Sequence, residues 1–215
     1  RRSRWEHTRI ALSKAPATAW FGLIVIALYA FVAIFAQLLA PYGEAQIFSK
    51  ADLPWAMLGG QPEHFFGTDQ IGRDVLTRLV YGAQNTIGIA LVTTLLSFLI
   101  GGSLGLIAAS NRSWLDQILS RGVDVLMSIP SLIFALMLLS IFGSSIPSLI
   151  GIIAVLDSTR VFRLTRSVAV NVVVMDYVEA AKLRGEGLGW IMRKEILPNI
   201  MPPLVAEFGL RFCFV

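Results

Sequence analysis

Residues 87–109 form a run of 23 residues without one charged side chain. As a helix this run is about 35 Å long, slightly more than the roughly 30 Å of hydrocarbon in a bilayer. Its only non-apolar members are glycines, serines and threonines, which can satisfy their polar groups inside a helix. A stretch of this kind leaves few folds open. It has to cross a membrane or be enclosed by a large core, and the rest of the chain decides between the two.

Residues 20–40 repeat the pattern, with Gln37 as the only amide or charge. A secretory signal would explain the basic residues ahead of it, Arg1, Arg2, Arg4, Arg9 and Lys14. However, the run exceeds the usual apolar region of about 7–15 residues, and no small-residue cleavage site follows. Residues 123–142 make a third span, with Asp124 near its start and Pro130 inside, which predicts a kinked helix beginning at the membrane surface. Residues 146–162 make a fourth, although its uninterrupted apolar part ends before Asp157. A fifth run starts near residue 201 and stops at Val215 in mid-apolar stretch, and the first residue is not methionine; both ends are expected to be cut, with the chain truncated within the fifth helix. Only 15% of the 215 residues are charged, against about a quarter in soluble domains. The expected architecture is therefore an all-α, polytopic membrane helix bundle.

The formal charge of +4 need not point to nucleic acid, because basic residues orient membrane proteins. With the N-terminal tail 1–19 in the cytoplasm, the segments 1–19, 110–122 and 160–200 carry 14 Lys and Arg, whereas 41–85 and 143–145 carry 3. The asymmetry predicts a cytoplasmic N-terminus, a periplasmic loop over 41–85 and a cytoplasmic segment before the fifth helix. Cys213 is read as a small packing residue. His7 and His64, far apart and without nearby cysteines, suggest no metal site.

Four local patterns remain. Gly101-Gly102-Ser103-Leu104-Gly105 matches the G-x-S-x-G nucleophile motif, but inside an uncharged helix and with no later histidine as base. Gly101, Gly105 and Ala109 instead make a small-residue face for close helix packing. Residues 65–82 interleave charges with Ile71, Val75 and Leu79 at helical spacing. That reads as an interfacial helix capped by Thr68 or Asp69, with Arg73, Asp74 and Arg78 facing headgroups or water. Asp124, Asp157, Glu207 and Arg211 lie in or beside apolar runs, where a charge is costly; Asp124 and Asp157 are expected at span ends, and Glu207 with Arg211 as an i,i+4 pair.

Residues 177–199 are the polar exception, with seven charges in 23 positions. Asp176 followed by Glu179 predicts a capping box. Lys182 and Arg184 favour the helix C-terminus, and Gly185 a left-handed stop. Leu188, Ile191, Met192 and Ile196 should then line one face of a second helix ending before Pro198.

Glu179-Ala180-Ala181, then Gly185, then Glu195-Ile196-Leu197-Pro198, at these spacings, resembles the EAA signature of permease subunits of bacterial ABC importers. Gly67-Thr68-Asp69, Gly72-Arg73-Asp74 and Arg78-x-x-Tyr81-Gly82 resemble the segment that marks dipeptide, oligopeptide and nickel permeases, their C-type subunit in particular. Ala40-Pro41-Tyr42 and Asp124-x-x-x-Ser128-x-Pro130 extend the likeness over nearly the whole chain. Ser158-Thr159 and Val161-Phe162-Arg163 depart from the Trp-Pro pair and aromatic-Ala-Arg tail frequent in that family.

The resemblance implies a type I ABC importer transmembrane domain, with its core over 86–215, in the bacterial inner membrane. It implies a non-catalytic subunit that carries no cofactor, with ATP and Mg on a partner ATPase; the chain has no G-x-x-x-x-G-K-[ST] loop. The implied partners are a second permease, two ATP-binding subunits, a periplasmic substrate-binding protein and the lipid bilayer, with no nucleic acid. Glu179, Ala180, Ala181, Lys182, Leu183, Arg184, Gly185 and Leu188 would form the ATPase interface, acting as a coupling helix within 176–199. The alternative is an autonomous ion-coupled secondary transporter built on the intramembrane charges.

Overall fold

The structure, a computed structural model, describes residues 16–48, 51–111 and 114–215. The basic tail expected over 1–19 therefore lies mostly outside the described residues. Two compact units are present, Arg1–Gly88 and Ile89–Val215.

In the first unit, α1 (Ala17–Ile34) is followed, after Phe35, by the single turn α2 (Ala36–Leu39). No residue of α1 is buried, and Phe21, Ile24, Ile26 and Leu28 are widely exposed. An 18-residue apolar helix with no buried face is suited to lipid rather than water. The loop that follows folds back on itself. Phe48 N–H donates to Gly72 O at 2.7 Å, Asp52 N–H to Asp69 O at 3.1 Å, and Tyr42, Phe48 and His64 cluster with ring centroids 4.6–5.4 Å apart.

Helix α3 (Val75–Ser110) runs unbroken for 36 residues from the first unit into the second. It contains the uncharged run but begins twelve residues earlier, so no separate interfacial helix precedes the span. Next come α4 (Trp114–Ser128) and α5 (Ser131–Phe142), bent by 89° at the Ile129-Pro130 step. Pro130 cannot donate an amide, and it pushes the residue before it out of helical geometry. Among the described residues, α1 and α3 alone are long and apolar enough to cross a membrane singly, and the bent pair can count as a third span.

Helix α6 (Ile146–Val173) starts with Ser145 accepting the Ser148 N–H and with Pro147 in its first turn. Its 28 residues extend well past the span expected over 146–162, and its central charges keep it from passing as a lipid-facing helix. It is the most enclosed element of the unit: Ile152, Ala154, Val161, Phe162, Thr165 and Ala169 are all buried. The chain then forms α7 (Asp176–Leu183), α8 (Leu188–Ile191), a π-turn over Met192–Ile196 and α9 (Leu197–Phe214).

Helices α3 and α6 run parallel in close contact. A Cβ on Gly101 would strike Ser158 O and lie 2.9 Å from Phe162 N, and one on Gly105 would lie 2.9 Å from Phe162 O and 2.8 Å from Thr165 Cβ. Advancing along α3 thus advances along α6. Since both run in the same direction, residues 111–145 must carry the chain back to the side where α3 entered. The bent α4–α5 pair makes that return.

Candidate functional site

The polar stretch after α6 is held to the bundle by one face. Val178, Ala181, Ile191 and Ile196 are at most 2% exposed and join a core with Ala109, Ala169, Val173, Ile200 and Leu204. The opposite face presents Glu179, Ala180, Lys182, Leu183, Arg184, Gly185 and Leu188, with Leu183 at 83% exposure. Ala181 therefore departs from its expected place on an outer docking surface. It lies three residues after Val178 on the same side of α7, so the helix period turns it inward while Ala180 remains outside. Leu188, expected to share a face with Ile191 and Ile196, is 45% exposed.

Helix α7 begins at Asp176 with Met175 as its cap and no side-chain cap bond, so no capping box forms. Asp176 and Glu179 occupy the first turn, where the helix dipole favours a negative charge. The other end is tightly specified. Gly185 N–H donates to Lys182 O at 2.9 Å, Glu186 N–H to Ala181 O at 3.2 Å, and Gly185 has φ +81°. This is a Schellman stop, and it needs the left-handed conformation that glycine adopts without strain.

The second helix does not end before Pro198. The chain stays helical into α9, with Pro198 in its first turn. The π-turn over Met192–Ile196 lies directly ahead of that proline, where the normal bonding ladder must change. This turn keeps Ile191 and Ile196, five positions apart, both buried.

The segment 67–78 forms a charged knot. The Asp69 carboxylate accepts the backbone N–H of Arg73 at 2.8 Å and of Ile71 at 3.0 Å, and it pairs with Arg73 Nε at 3.1 Å and Arg78 at 2.8 Å. The Arg73 amide foremost, then the Ile71 amide and the Arg73 side chain, hold its pKa at about 2 against the opposing effect of burial. Gly67 and Gly72 take positive φ on either side, and Thr68 bridges to Asp74.

The helix cap is Asp74, not Thr68 or Asp69. Its carboxylate accepts Thr77 N–H and Thr77 Oγ1, each at 2.8 Å. Asp74 does not face headgroups or water. It is 2% exposed and lies 2.9 Å from Nδ1 of His64, itself buried. The sequence reads His64 only as no metal ligand; its partner lies ten residues away and leaves no local pattern.

Gly101 and Gly105 lie against α6 as described, and Ala109 is fully buried in the core beneath α7. Ser103 Oγ donates to Leu99 O at 2.5 Å within its own helix, the usual bond of a helical serine hydroxyl.

The charges on α4, α6 and α9 lie near one another, some tightly bonded and some only adjacent. Arg166 grips Asp116 through two bonds of 2.5 and 2.7 Å, and Arg163 lies 3.8 Å from Asp124. Arg211 bonds Glu207 at 2.6 Å and lies 3.8 Å from Asp157, which is also 3.6 Å from Arg160. Asp157 is twelfth of the 28 residues of α6, so it lies near the helix middle rather than at a span end.

Residues 101–215 match the family described as binding-protein-dependent transport system inner membrane component, and residues 3–58 match the N-terminal transmembrane domain of oligopeptide transport permease C. A dipeptide transport system permease protein of Escherichia coli K12 is 38% identical over 193 residues, covering 89% of this chain and 64% of the relative. One from Haemophilus influenzae is 36% identical over 194 residues, covering 89% and 66%. A glutathione transport system permease protein of Pectobacterium atrosepticum is 30% identical over 190 residues, covering 88% and 62%. The chain thus spans less than two thirds of the length of these relatives.

Proposed function

We propose that this chain, which belongs to the family of binding-protein-dependent transport system inner membrane components, forms part of an ATP-driven importer of di- or oligopeptides and couples to an ATPase through residues 176–199. The substrate class follows the names of its relatives, dipeptide and glutathione permeases. In this reading a sister permease completes the translocation pathway, a periplasmic binding protein delivers the peptide, and two partner subunits bind ATP and Mg. The N-terminus is cytoplasmic.

The observation that carries the coupling role is the two-faced construction of α7. Val178 and Ala181 fix it to the bundle core, while Lys182, Leu183 and its cap Arg184 stand outside it. A short helix fastened on one side and exposed on the other transmits a push as a unit, because its buried side cannot slide without repacking. The exposed apolar residues fit a groove on a partner, and the neighbouring Lys182, Arg184 and Glu179 add polar contacts at its rim.

The test is Gly185→Val in the full transporter. No atom lies within 4 Å of the added Cβ, so the penalty is the left-handed backbone alone, roughly 1–3 kcal/mol for a branched residue. Insertion should survive, while the Schellman stop opens and ATP hydrolysis loses its link to uptake. Peptide uptake per ATP equal to that of the unmodified protein would reject the coupling role.

A further inference from the structure

A cavity of about 370 Å³ lies beneath the α4–α5 elbow, walled by Pro130, Ala135, Ile153, Asp157, Thr159 and Arg160 among others. Its size falls in the range of roughly 300–1,000 Å³ typical of small-molecule pockets. Its depth follows from helix contacts. Gly101 touches α6 at Ser158, Val161 and Phe162, and Gly101 lies eight residues, about 12 Å, inside the end of the uncharged run 87–109. Arg160 sits at the same level; with the run 87–109 placed across the bilayer, that level falls within the hydrocarbon layer, where a charge costs several kcal/mol unless it faces a partner or water.

The four charges at this level are unequally occupied. Arg211 is 15% exposed and bonded to Glu207 at 2.6 Å, and Asp157 is 13% exposed between two arginines. Arg160 differs: its side chain is 46% exposed, and its nearest carboxylate oxygen is 3.6 Å away, beyond hydrogen-bonding distance. The five N–H donors of a guanidinium are matched in shape to a carboxylate. Arg160 therefore brings donors that Asp157 does not bond directly to a cavity wall, where water or a bound anion would satisfy them.

We infer that this cavity is an anion-binding waypoint in the translocation pathway, where Arg160 holds the carboxylate of the passing substrate. The inference rests on the importer reading for the identity of that substrate, a peptide with a free carboxylate. The Asp157, Arg160, Glu207 and Arg211 group has no net charge. A zwitterionic peptide enters it without leaving an excess charge in the bilayer, and Asp157, already flanked by two arginines, keeps Arg160 from binding the substrate too tightly for release.

The experiment uses the full chain with its partner subunits in proteoliposomes, with uptake of radiolabelled dialanine and ATP hydrolysis measured together. Arg160→Gln should lower maximal uptake about tenfold, the loss of a charge-assisted hydrogen bond, while the loaded binding protein still stimulates ATP hydrolysis. Arg160→Lys should recover most of the uptake. Unchanged uptake in Arg160→Gln, or an equal loss of uptake and stimulated hydrolysis that lysine does not rescue, overturns the inference.

A second measurement needs no peptide. In a Cys213→Ser background, Ala135→Cys should react with an anionic thiosulfonate about tenfold faster than with a cationic one of similar size, and Arg160→Gln should erase that preference. No reaction with either reagent, or no preference, also overturns it. If the unmodified transporter takes up no dialanine while the labelling preference holds, the importer reading fails on substrate and the anion site stands.

Discussion

At the scale of single residues, Gly101 and Gly102 test what a small side chain contributes to a helix contact. They are neighbours in α3 with opposite surroundings: a Cβ on Gly101 collides with the backbone of α6, whereas one on Gly102 meets nothing within 4 Å. Gly101→Val should lower the thermal stability of the detergent-solubilised protein by roughly 1–3 kcal/mol, the usual cost of overpacking. Gly102→Ala should be neutral or stabilising by up to about 1 kcal/mol, since glycine is the weaker helix former. Equal effects from the two would remove the close approach of α3 and α6. Asp69 offers a pH test. Its pKa is lowered from 3.8 to about 2, so the knot is favoured above pH 4 and loosens as pH falls through about 2. Backbone amide exchange of residues 67–74 should stay slow down to about pH 3 and then rise relative to the intrinsic rate. Asp69→Asn should show the faster exchange already at neutral pH.

At the scale of elements, α7 separates what spacing reveals from what it hides. Gly185 after Lys182 and Arg184 marks a helix end in the sequence, because the left-handed stop depends on local chemistry alone. The burial of Ala181 is not legible there. Alanine is equally at home inside and outside, and the register of α7 is set by how Val178 enters the core that also holds Ala109 and Ala169, which are distant in the chain. Asp74 was equally hidden among Thr68, Asp69 and Asp74, three competent caps within seven residues. What selects Asp74 is its contact with His64 and the commitment of Asp69 to Arg73 and Arg78. The π-turn has no sequence signature beyond Pro198. Two substitutions on α7 should therefore behave oppositely. Ala181→Leu forces a larger side chain into a fully buried site and should destabilise the protein by about 1–3 kcal/mol, read as a lower unfolding temperature. Leu183→Asp, at an 83% exposed site, should leave that temperature unchanged and weaken ATPase binding, measured by co-purification of the complex.

At the scale of the whole molecule, the span count was legible only where apolar runs were uninterrupted. The runs 20–40 and 87–109 mark α1 and α3, which need no partner to satisfy their polar groups. Helix α6 was the uncertain one, because its arginines are tolerated through pairing with Asp116, Asp124 and Asp157, and a hydropathy count cannot see a partner on another helix. Within the second unit, the parallel run of α3 and α6 supplies what composition could not: an odd number of crossings must separate them, and the α4–α5 elbow has to make one. This arrangement predicts that the turn at residues 143–145 and the segment 174–196 lie on opposite sides of the membrane. Leaving out the three arginines inside α6, residues 1–19, 110–122 and 174–200 carry eleven Lys and Arg against three over 41–85 and none over 143–145, which predicts that 143–145 is periplasmic. Cysteine labelling checks both the topology and its sign. In a Cys213→Ser background, Ser144→Cys should react with a membrane-impermeant maleimide in intact spheroplasts, and Arg193→Cys only after permeabilisation; both parent side chains are exposed. The reverse pattern would invert the chain in the membrane. Labelling of both in intact spheroplasts would mean that residues 146–173 do not cross, which would also remove Arg160 from the depth at which its open donors require an aqueous cavity.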